Sequence, residues 1–151
     1  MELVTGVGTD EWGVKTKTWF DEQIGYKTQM LFTYITWVEN GKIVATAMYE
    51  GYKKGSIELH FLTKTPLTRA ILRDIFYYPF DSLGVNVVFI KFPRYNTKSL
   101  TTVAKVGFKY VATIPEFFGP GKKNDGLIFT INKEKSLKWR QYERLSTSPA
   151  T

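Results

Sequence analysis

A chain of 151 residues with 43% hydrophobic side chains, among them eleven Phe, nine Tyr and four Trp, buries enough apolar surface to offset the ordering entropy of one folded domain, which excludes a disordered chain. The lack of cysteine and the single histidine exclude a disulfide framework, a cysteine-built zinc site and a thiolate nucleophile. The formal charge of +7 is uneven: residues 1–62 hold 6 basic and 8 acidic side chains, residues 63–151 hold 15 and 6. A basic second half points to a polyanionic partner, either a phosphate-bearing cofactor or a nucleic acid, unless it is only a solvated surface. No run approaches the ~20 apolar residues of a membrane span. Met1 to Glu11 has neither the basic start nor the apolar stretch of a signal peptide, so a cytoplasmic protein is expected.

In chain order, Leu3 to Val7 predicts a strand and Thr9 or Asp10 a helix cap, with the helix stopping at Gly25. Gln29 to Glu39 and Lys42 to Tyr49 are β-rich runs joined by Asn40-Gly41, the signature of a hairpin with a type I′ turn. A second turn at Lys53 to Gly55 leads to a third antiparallel strand, Ser56 to Leu62. Thr65 followed by Pro66 predicts a helix start, with Leu67, Ile71, Ile75 and Phe76 inward and a stop between Pro79 and Gly84.

The largely apolar run Val85 to Phe92 reads as a strand buried on both faces. Lys98 to Val106 reads as a short helix closed by Gly107, and Phe108 to Ile114 and Leu127 to Ile131 as strands. Between those strands, Pro115 to Gly126 carries Phe117, Phe118, Gly119, Gly121, Lys122 and Lys123, a loop expected to be mobile and able to cover an acceptor groove. Lys133 to Leu145 predicts a basic amphipathic helix. The order β-α-β-β-β-α-β-α-β-β-α, an antiparallel meander leading into β-α-β-α units, predicts a mixed α/β (α+β) sheet over residues 1–145, with 146–151 a polar tail.

Arg94-Tyr95-Asn96-Thr97-Lys98-Ser99, followed by Lys105-Val106-Gly107-Phe108, resembles the N-x-x-S and K-x-G-F signature of the GNAT N-acetyltransferases, with Gly107 eleven residues after Asn96. Ile75 to Gly84 resembles the helix and Leu-Gly stop of the branch that acetylates ribosomal proteins. Its Tyr-Pro-Phe end is similar to small GNAT-like proteins of tailed phages, for which the host cytoplasm would be the location. The resemblance spans roughly residues 27–132 and implies a GNAT fold with splayed central strands.

That resemblance also implies acetyl-CoA as acyl donor and an amine acceptor, whether protein, small molecule or nucleobase, with no metal. GNAT enzymes carry a glycine-rich loop after their fourth strand, whose bare amides approach the cofactor's pyrophosphate. Here the loop, Leu62 to Arg69, has no glycine, and Pro66 lacks an amide donor. Lys64, Thr65, Thr68 and Arg69 are then the side chains that would bind phosphate, unless Thr65 merely caps the helix.

Glu58 and His60, two apart on one strand face, are candidates for the general base that frees the acceptor amine. Each also has a plain structural reading, as an edge carboxylate paired with Lys and as a half-buried histidine. Asn96 and Ser99 are candidates for cofactor contact or, equally, for capping the helix that follows. The family's acid tyrosine corresponds to Val103, with Tyr95 or Tyr110 as substitutes. A homodimer is compatible with the resemblance. The rival reading is a non-catalytic GNAT-like phage or virion-associated binding protein that contacts nucleic acid through its basic half.

Overall fold

The computed structural model describes residues 1–25, 27–28 and 31–141. The elements are β1 (Glu2–Val7), α1 (Glu11–Ile24), β2 (Phe32–Glu39), β3 (Lys42–Lys53), β4 (Ser56–Thr63), α2 (Arg69–Tyr77), β5 (Val87–Pro93), α3 (Thr97–Val106), β6 (Lys109–Ile114), β7 (Gly126–Asn132) and α4 (Leu137–Arg140). A π-helical turn, Tyr78–Ser82, continues α2. The strands form one seven-stranded sheet in the order β1-β2-β3-β4-β5-β7-β6. The mixed α/β fold class and the element order are those expected from the sequence. Of the strand expected from Gln29, Gln29 and Met30 lie outside the described residues.

Local chemistry accounts for the boundaries. Asp10, not Thr9, caps α1: its carboxylate accepts from the Gly13 amide at 2.7 Å. Asn40 and Gly41 have φ of 53° and 76°, the two positive values that a type I′ turn requires. The helix expected from Thr65 begins later. Thr63 Oγ1 accepts from the Thr65 amide and donates to the Thr65 carbonyl, which folds residues 63–65 into a bend. Lys64 N still donates to Val44 O, so the chain has not yet left the sheet. Thr68 then caps α2 by accepting from the Ile71 amide at 3.2 Å.

Of the basic helix expected over Lys133 to Leu145, the described residues form the single turn of α4, and residues 142–145 lie outside them. Arg140 turns inward instead of facing solvent. It is buried, with its guanidinium donating to Asp81 Oδ1, Lys133 O and Ser136 Oγ.

The sheet separates two apolar layers. On one face Tyr49, Ile57, Leu59, Val88 and Phe129 pack against Ile75, Phe76 and Val103 of α2 and α3. On the other, Phe20 of α1 packs on Phe32, Tyr34 and Met48. Among the described residues, the β4 and β5 strands are the only parallel neighbours in the sheet, and they pair at three positions, Ser56↔Val87, Ile57↔Val88 and Glu58↔Phe89. Yet β4 stays paired with β3 out to Thr63, and β5 with β7 out to Pro93. Both strands therefore run on while their shared ladder stops, and a V opens between them beyond Glu58 and Phe89. For that reason β5 is not covered on both faces: Val88 and Phe92 are buried, but Phe89, Ile90 and Lys91 are half-buried.

A cleft between diverging strands

The V opens into a cleft of about 640 Å³. At its narrow end lies a set of charged side chains whose meeting follows from strand register. Glu50 of β3 lies directly opposite Glu58 of β4 because the ladder shifts register between Glu50 and Lys53, after the Lys53↔Ser56 pair at the turn. Two carboxylates so placed repel each other, and a histidine ring and a lysine lie against them. His60 Nε2 lies 2.7 Å from Glu50 Oε1 and 3.7 Å from Glu58 Oε2. Lys91 Nζ, from across the V, lies 3.4 Å from the same Glu58 oxygen.

An ionised carboxylate only accepts, so His60 Nε2 carries the hydrogen toward Glu50, and in the neutral ring Nδ1 is the basic nitrogen. Glu58 is buried, at 7% exposure, while the His60 and Glu50 side chains are 21% and 26% exposed. Phe20 of α1 sets its ring edge-on to the His60 ring, with centroids 6.3 Å apart.

The loop between β6 and β7 closes one side. Phe117 and Phe118 line the cleft, and Lys91 Nζ sits 4.9 Å from the centre of the Phe117 ring. At Gly126 an added Cβ would come within 2.8 Å of Phe117 Cβ, so a larger residue there would push Phe117 off its seat. The loop is cross-braced: Glu116 N donates to Asp125 Oδ1, Gly121 N to Glu116 Oε2, and Asp125 also pairs with Arg94.

The wide end is lined by Leu62 of β4, by Lys64 just after it, by Asn96, Lys98 and Ser99 at the start of α3, and by Thr102 further along that helix. Asn96 caps α3, its Oδ1 accepting from Ser99 N at 3.1 Å. One cleft thus brings together Glu58, His60, Leu62, Lys64, Asn96 and Ser99. Thr65, Thr68 and Arg69 are not among its lining residues. Thr65 is tied to Thr63, Thr68 caps α2, and Arg69 stacks over Trp139 at 5.5 Å.

Neither Tyr95 nor Tyr110 lines the cleft, whereas Val103 does; both tyrosines are 58% exposed. The sequence reading missed Glu50 and Lys91. Glu50 was hidden by a register shift, since the Lys53↔Ser56 pairing carried straight back would set Gly51 opposite Glu58. Lys91 left only one trace, a cation interrupting an apolar run.

No family model matches this sequence, and no curated protein matches it. Solved structures do. Spermidine N-acetyltransferase SpeG, as a chimera of the Vibrio cholerae protein with hSSAT, superposes with a TM-score of 0.71 at 11% identity, over 91% of this chain and 99% of that one. The Campylobacter jejuni N-acetyltransferase PseH in complex with acetyl coenzyme A matches at 0.56 and 14% identity, over 87% and 99%. A GCN5-related N-acetyltransferase from Brucella melitensis matches at 0.59 and 17%, over 85% of this chain and 62% of the other. The likeness at such identities is one of architecture, and the architecture is the GNAT fold. Among the described residues no helix is long and apolar enough to cross a membrane.

Proposed function

We propose that this chain is an N-acyltransferase that moves an acetyl group from acetyl coenzyme A to an amine acceptor. The observation that carries the proposal is the early end of the β4–β5 ladder, which leaves a cleft with a buried carboxylate at its narrow end and cations at its wide end. Beyond Glu58, β4 has no partner on its β5 side, so the strand edge offers backbone groups to an extended ligand as a neighbouring strand would. Lys64 and Lys98 line the end where phosphates would lie, and side-chain cations there replace the amides of a glycine-rich loop.

Acetyl coenzyme A would supply an activated acyl group as a thioester. The protein's part is to orient that group in the V and to free the acceptor amine. An ammonium entering the narrow end meets Glu50 and Glu58; Glu58 takes its proton, directly or through water, and the free amine attacks the acyl carbon. His60 holds Glu50 and stands beside Glu58, keeping the two like charges at one site. Among the described residues no tyrosine lines the cleft, and in this proposal solvent protonates the leaving thiolate.

The test is stabilisation by coenzyme A. At ~100 times the dissociation constant a ligand of the native state adds ~2.7 kcal/mol, and for a chain of this size each kcal/mol raises Tm by roughly 2–4 °C. An unchanged Tm at millimolar coenzyme A would remove the reading. Salt-steep binding of DNA or RNA in its place would favour the nucleic-acid module, from which the burial of Arg140 has already withdrawn one cation.

A further inference from the structure

The narrow end of the cleft already contains an amine. Lys91 projects from β5 on the face that carries Glu58, because Glu58 and Phe89 are parallel partners and Lys91 lies two residues further along the same face. Its Nζ lies 3.4 Å from Glu58 Oε2 and over the Phe117 ring, and its side chain is 25% exposed. The amine of an external acceptor would have to take the same place beside the same carboxylate.

We propose that Lys91 is a self-acetylation site, the chain acting as its own acceptor when no external amine occupies the cleft. The inference rests on the acyltransferase reading. The Lys91 ammonium gives one proton to Glu58, and the free amine bonds to the acyl carbon of the thioester. The carbon–sulfur bond breaks with its electron pair going to sulfur, the second nitrogen proton passes through water to the thiolate, and Glu58 returns its proton to solvent. The product is a neutral amide at Lys91 and free coenzyme A thiol. Glu58 then loses its cationic partner across the V, and the narrow end becomes more negative. An acetylated chain would therefore hold a cationic acceptor differently from an unmodified one.

The experiment incubates the full chain with acetyl coenzyme A and no added amine, and follows intact mass and peptide maps over time. Lys91 should gain one acetyl group at a rate independent of protein concentration, about 100-fold or more faster than the exposed Lys42 and Lys109 in the same sample, the lower range of what a positioned base contributes. Glu58→Gln should bring Lys91 down toward the rate of those exposed lysines. Lys91→Arg should abolish the fast mass gain while keeping its stabilisation by coenzyme A, which shows that the variant folds and binds. An unmodified Lys91 in a chain that acetylates an added amine overturns the self-acceptor assignment and leaves the acyltransferase reading standing, as does a Lys91 modified no faster than Lys109. No acetylation of any amine together with no response to coenzyme A overturns both.

Discussion

The two ends of the cleft are built by different means. At the narrow end, side chains from three strands meet: Glu50 from β3, Glu58 and His60 from β4, and Lys91 from β5, linked at 2.7–3.7 Å. At the wide end the polar groups are largely committed to turns. Asn96 caps α3, and Thr63 folds the bend that carries Lys64. Sheet register places charged groups against each other at fixed spacing and so suits proton transfer. Turn chemistry places amides and caps, which suits holding a ligand but supplies no base. Under the proposed function, chemistry falls to one end and binding to the other, and substitutions that act at one end alone test that division.

The largest effect belongs to the narrow end. Glu58→Gln should lower the acetylation step by ~100- to 10,000-fold in single-turnover measurements, with coenzyme A affinity nearly unchanged. If both fall together, the two ends are not separate. A smaller effect belongs to the α3 cap. Asn96→Ala should cost ~1 kcal/mol of stability, read from the denaturant midpoint, because the Ser99 amide loses its acceptor. Asn96→Asp keeps a capping oxygen and should keep that stability, so any loss of coenzyme A affinity in this variant would isolate a contact to ligand.

At the mouth, Lys64→Ala should weaken coenzyme A by a few-fold, the ~0.2–1 kcal/mol range of an exposed ion pair, and leave the acetylation step untouched. The smallest effect lies outside the cleft and serves as a control on both ends. The Tyr34 hydroxyl and the Gly13 amide, both donating to Asp10, hold its carboxyl below the usual value of 3.8. A depressed carboxyl stabilises the fold fully above its unfolded value, and that contribution fades as the pH falls through the lower folded one. Asp10→Asn, which retains a capping oxygen, should flatten the acid side of a denaturant midpoint plotted against pH below about 4 and change nothing in acetylation.

Legibility in the sequence divided along a similar line. Asn40-Gly41 announced its hairpin, because positive φ at two consecutive positions is demanded by few other structures. Glu58 and His60 were found because strand alternation is a local rule. Glu50 could not be reached by carrying the register back from the second turn, because the ladder shifts between Glu50 and Lys53 and a one-residue slip changes the face. Lys91 could not be reached that way: its meeting with Glu58 depends on a parallel register set by a helical crossover, and on the point where that pairing ends.

The start of α2 was placed at Thr65 because Thr-Pro is a good local start signal. A threonine two residues earlier, Thr63, claimed the backbone of Thr65 instead. The terminal segment predicts a basic amphipathic helix, with Arg140 among its cations. Arg140 is inward because its acceptor, Asp81, is 59 residues away, and no local pattern reports that.

Trp139 and Arg140 have a consequence for how the molecule is made. Trp139 Nε1 donates to Val106 O at the end of α3, and Arg140 reaches Asp81 in the turn after α2. Both contacts close regions laid down more than thirty residues earlier in synthesis. While the chain grows on the ribosome, all seven strands can pair before either contact can form. The ends of α2 and α3 thus wait, open to water, for one late turn to emerge, and a chain stopped at residue 138 would hold every strand of its sheet and leave both ends unlatched.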